Sequence, residues 1–526
     1  MPFPPDFLWG ASISGFQFEM GGRRENWDTN SDWWVWVHDR ENIRKRVVSG
    51  DLPENGVNYW ELYRRDHQLA EELGLNAFRL STEWSRIFPH STEKVQVETK
   101  REGELLSKIT VNRAALEELD GLANQRAVEH YREIIVDLKK RGIRVFLCLN
   151  HFTLPLWIHD PITARDSRLS KGPRGWLDER TVVEFTKYAA YMAWKFGDLV
   201  DYWSTFNEPI GIVFSYLFPT GFPPNVLKLA PRLSRFPLAK VALNMVVAHA
   251  RAHDAIKEWD RKRAERGSPS PAEVGLIYNI VPTYPLREGN PFDEKAAKFN
   301  DYLMIHWFLQ AVSLGLLDVG FNPENRKRET HLAGKLDWLG VNYYSRNVVR
   351  GWVFPFLKQL FGIPAFPQPV PGYGSLGGVR SIPLRNPGQV TQVEERSLAG
   401  FPVAEDFGWE IFPLGLKRAV EEARKYCKII YITENGVSDS TDRLRPQFLI
   451  DHLRVVEEML EGGIEVGGYF HWSLLDNYER ARGFRNKFGL CAVDLKTKQR
   501  RPRPSFQLLQ KIIRSGGCPQ SPRSDF

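Results

Sequence analysis

Two glutamates stand in segments of the same form, Thr205-Phe206-Asn207-Glu208-Pro209 and Ile432-Thr433-Glu434-Asn435-Gly436. Each is a short strand-forming run that closes on a carboxylate and is halted by a proline or glycine turn. A pair of carboxylates can cleave an acetal. One protonates the leaving oxygen while the other attacks the anomeric carbon, at a separation of about 5–5.5 Å, or activates a water, at about 6.5–9.5 Å. Taken singly, Glu-Pro is an ordinary strand terminator and Glu-Asn-Gly an ordinary turn. A shared place on one face of a fold would turn them into a site.

The elements that must supply that face are legible as eight short apolar runs ending in Gly, Pro or Asn, with helical periodicity between them. They are Phe7 to Ser14, Asn76 to Glu83, Arg144 to His151, Asp201 to Asn207, Val274 to Val281, Asp337 to Tyr344, Ile429 to Glu434 and Val466 to Trp472. Most are nearly continuous in apolar residues, as parallel strands buried on both faces require. Among the segments between them, Tyr59 to Leu73 and His130 to Arg141 are amphipathic and run into Gly74 and Gly142. Eight alternating units predict an α/β fold, a single (β/α)8 TIM barrel with elaborated βα loops spanning 1–526. A doubly wound open sheet is the alternative, but no Gly-x-Gly-x-x-Gly turn follows the first strand.

A barrel of this kind carries its chemistry at the C-terminal ends of its strands. The residues there are Gln17, Arg79, His151, Asn207 with Glu208, Asn279, Tyr344, Glu434 and Trp472, the last followed by Glu479. The fourth and seventh strands lie across the mouth from each other, so Glu208 and Glu434 are expected to face one another. Arg79 and Tyr344 would hold Glu434 ionised through charge and hydrogen bonding. Glu208 would keep a proton until a leaving group takes it.

Composition narrows the field. The 526 residues are 42% hydrophobic and 13% aromatic, enough for a large core. The net charge of +7 arises from 71 basic and 64 acidic residues mixed along the chain. The basic stretches, Arg40 to Arg46 and Lys496 to Arg503, are short and interrupted by acidic residues or prolines, so no nucleic-acid partner is expected. Cys148, Cys427, Cys491 and Cys518 have neither metal-ligand spacing nor a disulfide pattern, and no metal or other cofactor is expected. The first residues pass from Met1 through Pro2 and Pro4 to Trp9 without a basic and then apolar leader, which predicts a cytoplasmic protein. Thirty-four prolines and many charged residues fit a heat-stable one.

These segments resemble a known family. Together with Trp338-Leu339-Gly340-Val341-Asn342-Tyr343-Tyr344-Ser345 and His471-Trp472-Ser473-Leu474-Leu475-Asp476-Asn477-Tyr478-Glu479, the two glutamate segments resemble family 1 glycoside hydrolases from Phe7 to about Pro504. Gly50-Asp51-Leu52-Pro53-Glu54-Asn55-Gly56 and Glu83-Trp84-Ser85-Arg86-Ile87-Phe88-Pro89 are similar to the β-glycosidases of heat-loving archaea. The resemblance implies a retaining β-glycosidase acting on glucosides, galactosides or fucosides, with Glu208 as acid/base and Glu434 as nucleophile. It implies that Gln17, His151, Asn207, Trp472 and Glu479 bind the non-reducing-end sugar, that Asn279 and Tyr344 support the catalytic pair, and that the chain assembles as a homo-oligomer.

Three departures bear on substrate. Phe152 stands where the family usually has Trp after His151, and Arg480 where it usually has Trp after Glu479. Both would border the sugar. A guanidinium there suits a carboxylate or sulfate, which predicts an anionic sugar such as a uronide unless Arg480 turns outward or pairs with Glu479 or Glu405. Asn486 and Phe488 stand where the 6-phosphosugar branch usually has Lys and Tyr, which argues against a phosphosugar. After the sixth strand, the segment 352–366 is long and apolar. It predicts a lid, a subunit contact, or contact with a lipid or hydrophobic aglycone. A sugar-binding barrel without catalysis would have lost one of the two glutamates, and a metal-dependent hydrolase would need more than His151 and His471 at its strand ends.

Overall fold

The computed structural model describes residues 3–226, 231–265, 267–321, 323–353, 365–374, 396–404 and 408–519. Eight strands form a closed parallel barrel. They are β1 (Leu8–Ser12), β2 (Ala77–Ser81), β3 (Arg144–Cys148), β4 (Tyr202–Asn207), β5 (Glu273–Asn279), β6 (Trp338–Asn342), β7 (Ile430–Asn435) and β8 (Gly468–His471). Each pairs in parallel with the next, and β8 closes on β1 through Leu8 to Gly468 and Ala11 to His471. All eight runs expected from the sequence are strands, most of them trimmed at the C-terminal end, where the polar residues turn out of the ladder into the loops.

The crossovers carry helices α1 (Tyr59–Leu73), α2 (Gln125–Lys140), α3 (Arg180–Phe196), α4 (Pro231–Trp259), α5 (Trp307–Leu314), α6 (Leu414–Arg424) and α7 (Arg445–Glu461), and α8 (Pro504–Ser515) follows β8. In α1 the buried residues Tyr59, Tyr63, Asp66, His67, Ala70 and Leu73 recur at helical spacing, and Gly74 ends the helix at φ +91°. Helix α2 starts five residues before the expected His130 because the Asn124 side chain accepts the Ala127 N–H. Such a cap contributes about 1 kcal/mol.

Leu8, Ala77, Phe146, Tyr202, Ile277, Trp338, Tyr431 and Phe470, one from each strand, fill the barrel interior as a single apolar cluster. The outer faces of the strands pack with the helices into a much larger core that includes Trp203, Phe206, Leu339 and Ile432. Between β2 and α2 the chain inserts an antiparallel hairpin, Glu98–Glu102 with Leu105–Thr110, and the helix Arg113–Leu122. Of the apolar segment 352–366, residues 354–364 lie outside the described residues. Its described ends, Trp352 and Phe366, pair in an antiparallel ladder and are both exposed. Among the described residues no helix is long and apolar enough to cross a membrane.

Candidate active site

Register irregularities flank both glutamates. The β4–β5 ladder shifts between Ser204 and Asn207, the β6–β7 ladder between Val341 and Asn342, and the β7–β8 ladder between Ile432 and Asn435. An irregularity of this kind re-aims the side chains that follow it. Glu208 then leaves β4 in the left-handed region at φ +48° and ψ +56°, held by its N–H to Ile277 O at 2.9 Å, and Pro209 opens a short helix. A side chain in that conformation costs about 1–2 kcal/mol, so the surrounding structure must hold it. Phe152 (φ +78°) and Arg480 (φ +49°), on two other loops of the mouth, share the region.

A continuous chain of polar side chains joins the two carboxylates. Arg79, fully buried and standing in the middle of β2 rather than at its end, donates through Nη1 to Glu434 Oε1 and through Nη2 to Asn207 Oδ1 at 2.6 Å. Asn342 Nδ2 donates to that same Asn207 oxygen at 3.0 Å and to Glu208 Oε1 at 2.7 Å. Tyr344 donates its hydroxyl to Glu434 Oε2 at 2.6 Å. Both oxygens of Glu434 therefore meet donors, one of them a cation, which suits an anion. Glu208 meets one neutral amide. Burial, and then the charge of Glu434, push its carboxyl up to about 8 against the opposing Asn342 hydrogen bond and the charges of Arg79 and Arg480. Two carboxylates with environments this different can divide the roles of acid and nucleophile.

The other expected residues line the same mouth. Gln17 Nε2 donates to Asn477 Oδ1 at 2.9 Å and to Glu479 Oε2 at 3.4 Å, and Trp472 Nε1 donates to Glu479 Oε1 at 3.3 Å. Burial lifts Glu479 to about 7 against the hydrogen bonds of Asn477 and Trp472 and the charge of Arg480. The His151 ring stacks on Trp472 with centroids 5.9 Å apart, and its Nδ1 faces Arg79 Nη2 at 3.3 Å. Its Nε2 faces Asn207 Nδ2 at 3.4 Å, so donors stand at both ring nitrogens and a neutral ring accepts from only one of them. Burial, followed by the charges of Arg480 and Arg79, keeps this imidazole well below its usual range and so neutral.

Arg480 neither turns outward, being 4% exposed, nor pairs with Glu479. Its Nη2 donates to the His151 carbonyl at 2.6 Å, and its guanidinium lies 4.8 Å from the Phe152 ring centroid and 5.1 Å from that of Trp33. Nε and Nη1 are buried without partners. The strongest charge acting on it is that of Glu83, and burial, the first cause, lowers it to about 10. Glu405 lies outside the described residues.

Asn279, the expected support at the end of β5, leaves its Oδ1 buried without a partner, whereas the neighbouring Asn342 reaches Glu208. Sequence reading passed over Asn342 and also Glu83, which is fully buried and accepts from Phe16 N at 2.8 Å and Thr153 Oγ1 at 2.6 Å. The available signal was their position, since each ends or just follows a barrel strand. Among the described residues no group of three His, Cys, Asp or Glu could hold a metal ion.

Two unlike carboxylates set into the mouth of a closed parallel barrel fit a glycoside-cleaving enzyme. The model of glycosyl hydrolase family 1 matches residues 1–100, 117–355 and 384–518, and the chain belongs to that family. It is 44% identical to a β-galactosidase of Pyrococcus woesei over 98% of both chains. The solved β-glycosidase of the hyperthermophile Thermosphaera aggregans superposes with a TM-score of 0.84 at 42% identity, covering 99% of this chain and 98% of that one. A β-glucosidase mutant derived from a hyperthermophilic tetrameric structure gives 0.81 at 39% identity, covering 98% and 97%. The chain is a retaining β-glycosidase, an O-glycosyl hydrolase.

Proposed function

We propose that Glu208 is the acid/base and Glu434 the nucleophile for terminal, non-reducing neutral β-D-glycosides of the glucose, galactose and fucose type. The observation that carries this is the unequal solvation of the two carboxylates: Glu434 accepts from Arg79 and Tyr344, while Glu208 has one neutral donor and is pushed up to about 8 by burial and by Glu434. Protonated Glu208 gives its proton to the glycosidic oxygen as that bond breaks, and Glu434 bonds to the anomeric carbon. Water then yields a proton to Glu208 and displaces Glu434, restoring the original configuration. An alcohol or second sugar in place of water gives transglycosylation. Gln17, His151, Asn207, Trp472 and Glu479 hold the sugar, with Trp472 as its apolar floor, and Asn279 lines the same wall. The whole chain, 1–526, acts as one catalytic unit.

Glu434→Ala should abolish turnover, with azide or formate partly restoring it, and a fluorinated glycoside should label Glu434. Labelling of another residue would remove Glu434 from the role.

A second reading of the sugar, an anionic one, draws support from Arg480: a buried guanidinium with two unpartnered N–H groups lies beside His151 and Glu479. Cytoplasmic location and homo-oligomeric assembly belong to this proposal too. The second is supported by the tetrameric structure from which a solved relative derives. The exposed Trp352, Val353 and Phe366 support a contact with a hydrophobic aglycone or a lipid through 352–366.

A further inference from the structure

We infer that Asn342 is a positioning residue for the acid/base: it holds Glu208 by Oε1, so that Oε2 carries the proton in both steps. The inference rests on Glu208 being the acid/base.

Three contacts fix the amide of Asn342. Its Oδ1 accepts the Thr433 hydroxyl at 2.9 Å, which leaves both N–H groups as the outward end. Nδ2 then spends one hydrogen on Glu208 Oε1 at 2.7 Å and the other on Asn207 Oδ1 at 3.0 Å. Both donors of this amide are thereby used, and a flip would turn its oxygen toward the Asn207 and Glu208 oxygens and lose both of those bonds. Thr433 directly precedes Glu434, so Asn342 references the acid/base to the backbone that carries the nucleophile. Close packing of β6 against β7 permits this. At Gly340 a Cβ would lie 2.6 Å from Thr433 Oγ1, and a larger residue there would push the Thr433 hydroxyl away.

A donor that cannot ionise serves both halves of the cycle. In the first half Glu208 must be a carboxylic acid, and an N–H on Oε1 leaves Oε2 as the protonated oxygen, directed at the leaving group. In the second half Glu208 must be a carboxylate that takes a proton from water, and the same N–H then meets a negative oxygen and strengthens. Asn342 therefore favours the ionised form and offsets part of what burial and Glu434 impose on Glu208.

The test is the pH profile of kcat/KM on an aryl β-glucoside for Asn342→Leu and Thr433→Val. Loss of a hydrogen bond to a charged group is worth on the order of one pH unit. Asn342→Leu should move the basic limb up by about that much and slow release of the glycosyl-enzyme by at least about tenfold. Thr433→Val, which only frees the amide, should move the limb the same way by less. An unmoved basic limb in Thr433→Val, together with an unmoved limb or a failure to fold in Asn342→Leu, overturns the inference. Glu208→Gln is measured alongside: if it cleaves poor leaving groups as well as the wild type does, the acid/base reading itself is wrong, whereas its failure with unmoved limbs refutes Asn342 alone.

Discussion

Tyr344 donates its hydroxyl to Oε2 of Glu434 at 2.6 Å, while the other oxygen of the same carboxylate is taken by Arg79. Two residues beyond Asn342 on the same strand end, the tyrosine thus restrains one glutamate while the asparagine restrains the other. Burial, the charge of Glu434 and its hydrogen bond to Glu434 all hold the phenol far above its ordinary range, so it donates at every working pH. Tyr344→Phe keeps the ring and removes the donor. We expect kcat to fall on the order of 10²-fold, with rapid-quench kinetics locating the loss in the formation of the glycosyl-enzyme. A change confined to KM would mean that the hydroxyl serves sugar binding instead.

Glu208 is pushed up to about 8 by burial and by Glu434. In the proposed acid role its protonated form starts the reaction, so kcat/KM should fall as pH rises through that value. Glu208→Gln should cost at least about 10²-fold more on alkyl glycosides than on dinitrophenyl glycosides, whose leaving groups need no proton. Equal losses on the two substrates would take Glu208 out of the acid role.

For Arg480 the discriminating quantity is a ratio. If its buried, unpartnered N–H groups meet a substrate anion, Arg480→Trp should raise kcat/KM on β-glucosides relative to β-glucuronides by about tenfold or more, the scale of one charge-assisted hydrogen bond. A ratio unchanged by the substitution would make Arg480 a strut that ties the His151 carbonyl to the Phe152 and Trp33 rings.

Glu83 links stability to pH. Burial, then the charges of Glu19 and Asp28, raise it from 4.5 to about 8. Between those values the folded chain binds a proton that the unfolded chain does not. Its contribution is therefore full below about 4.5 and is lost as pH rises through about 8. Glu83→Gln should flatten the decline in Tm from pH 5 to pH 9 by roughly 2 °C or more, measured by calorimetry. Parallel Tm–pH curves for the two proteins would exclude this residue as the source.

Periodicity reveals the barrel well because buried parallel strands write themselves as apolar runs, and the two glutamates stand out by ending two of them. The finer division of labour is less legible. Asn342 pairs in register with Asn279 on one side and with Glu434 on the other. Which of the two asparagines reaches Glu208 depends on the ladder shift between Val341 and Asn342, and no residue pattern announces that shift. Arg480 is similar: Trp33, Phe152 and Glu83 come to it from three separate strand-to-helix connections, Trp33 on the helix Asp32–His38, so its surroundings exist only once the barrel has closed.

The apolar plug made by one residue from each strand gives the catalytic mouth a sealed floor. Traffic is consequently one-way in and back out. In the proposed binding mode the aglycone, nearer the opening, departs first, and the released monosaccharide must retrace the path of entry before another substrate can dock. Free sugar is therefore a competitor for the resting enzyme, and the length of its stay limits how fast the next cycle can begin.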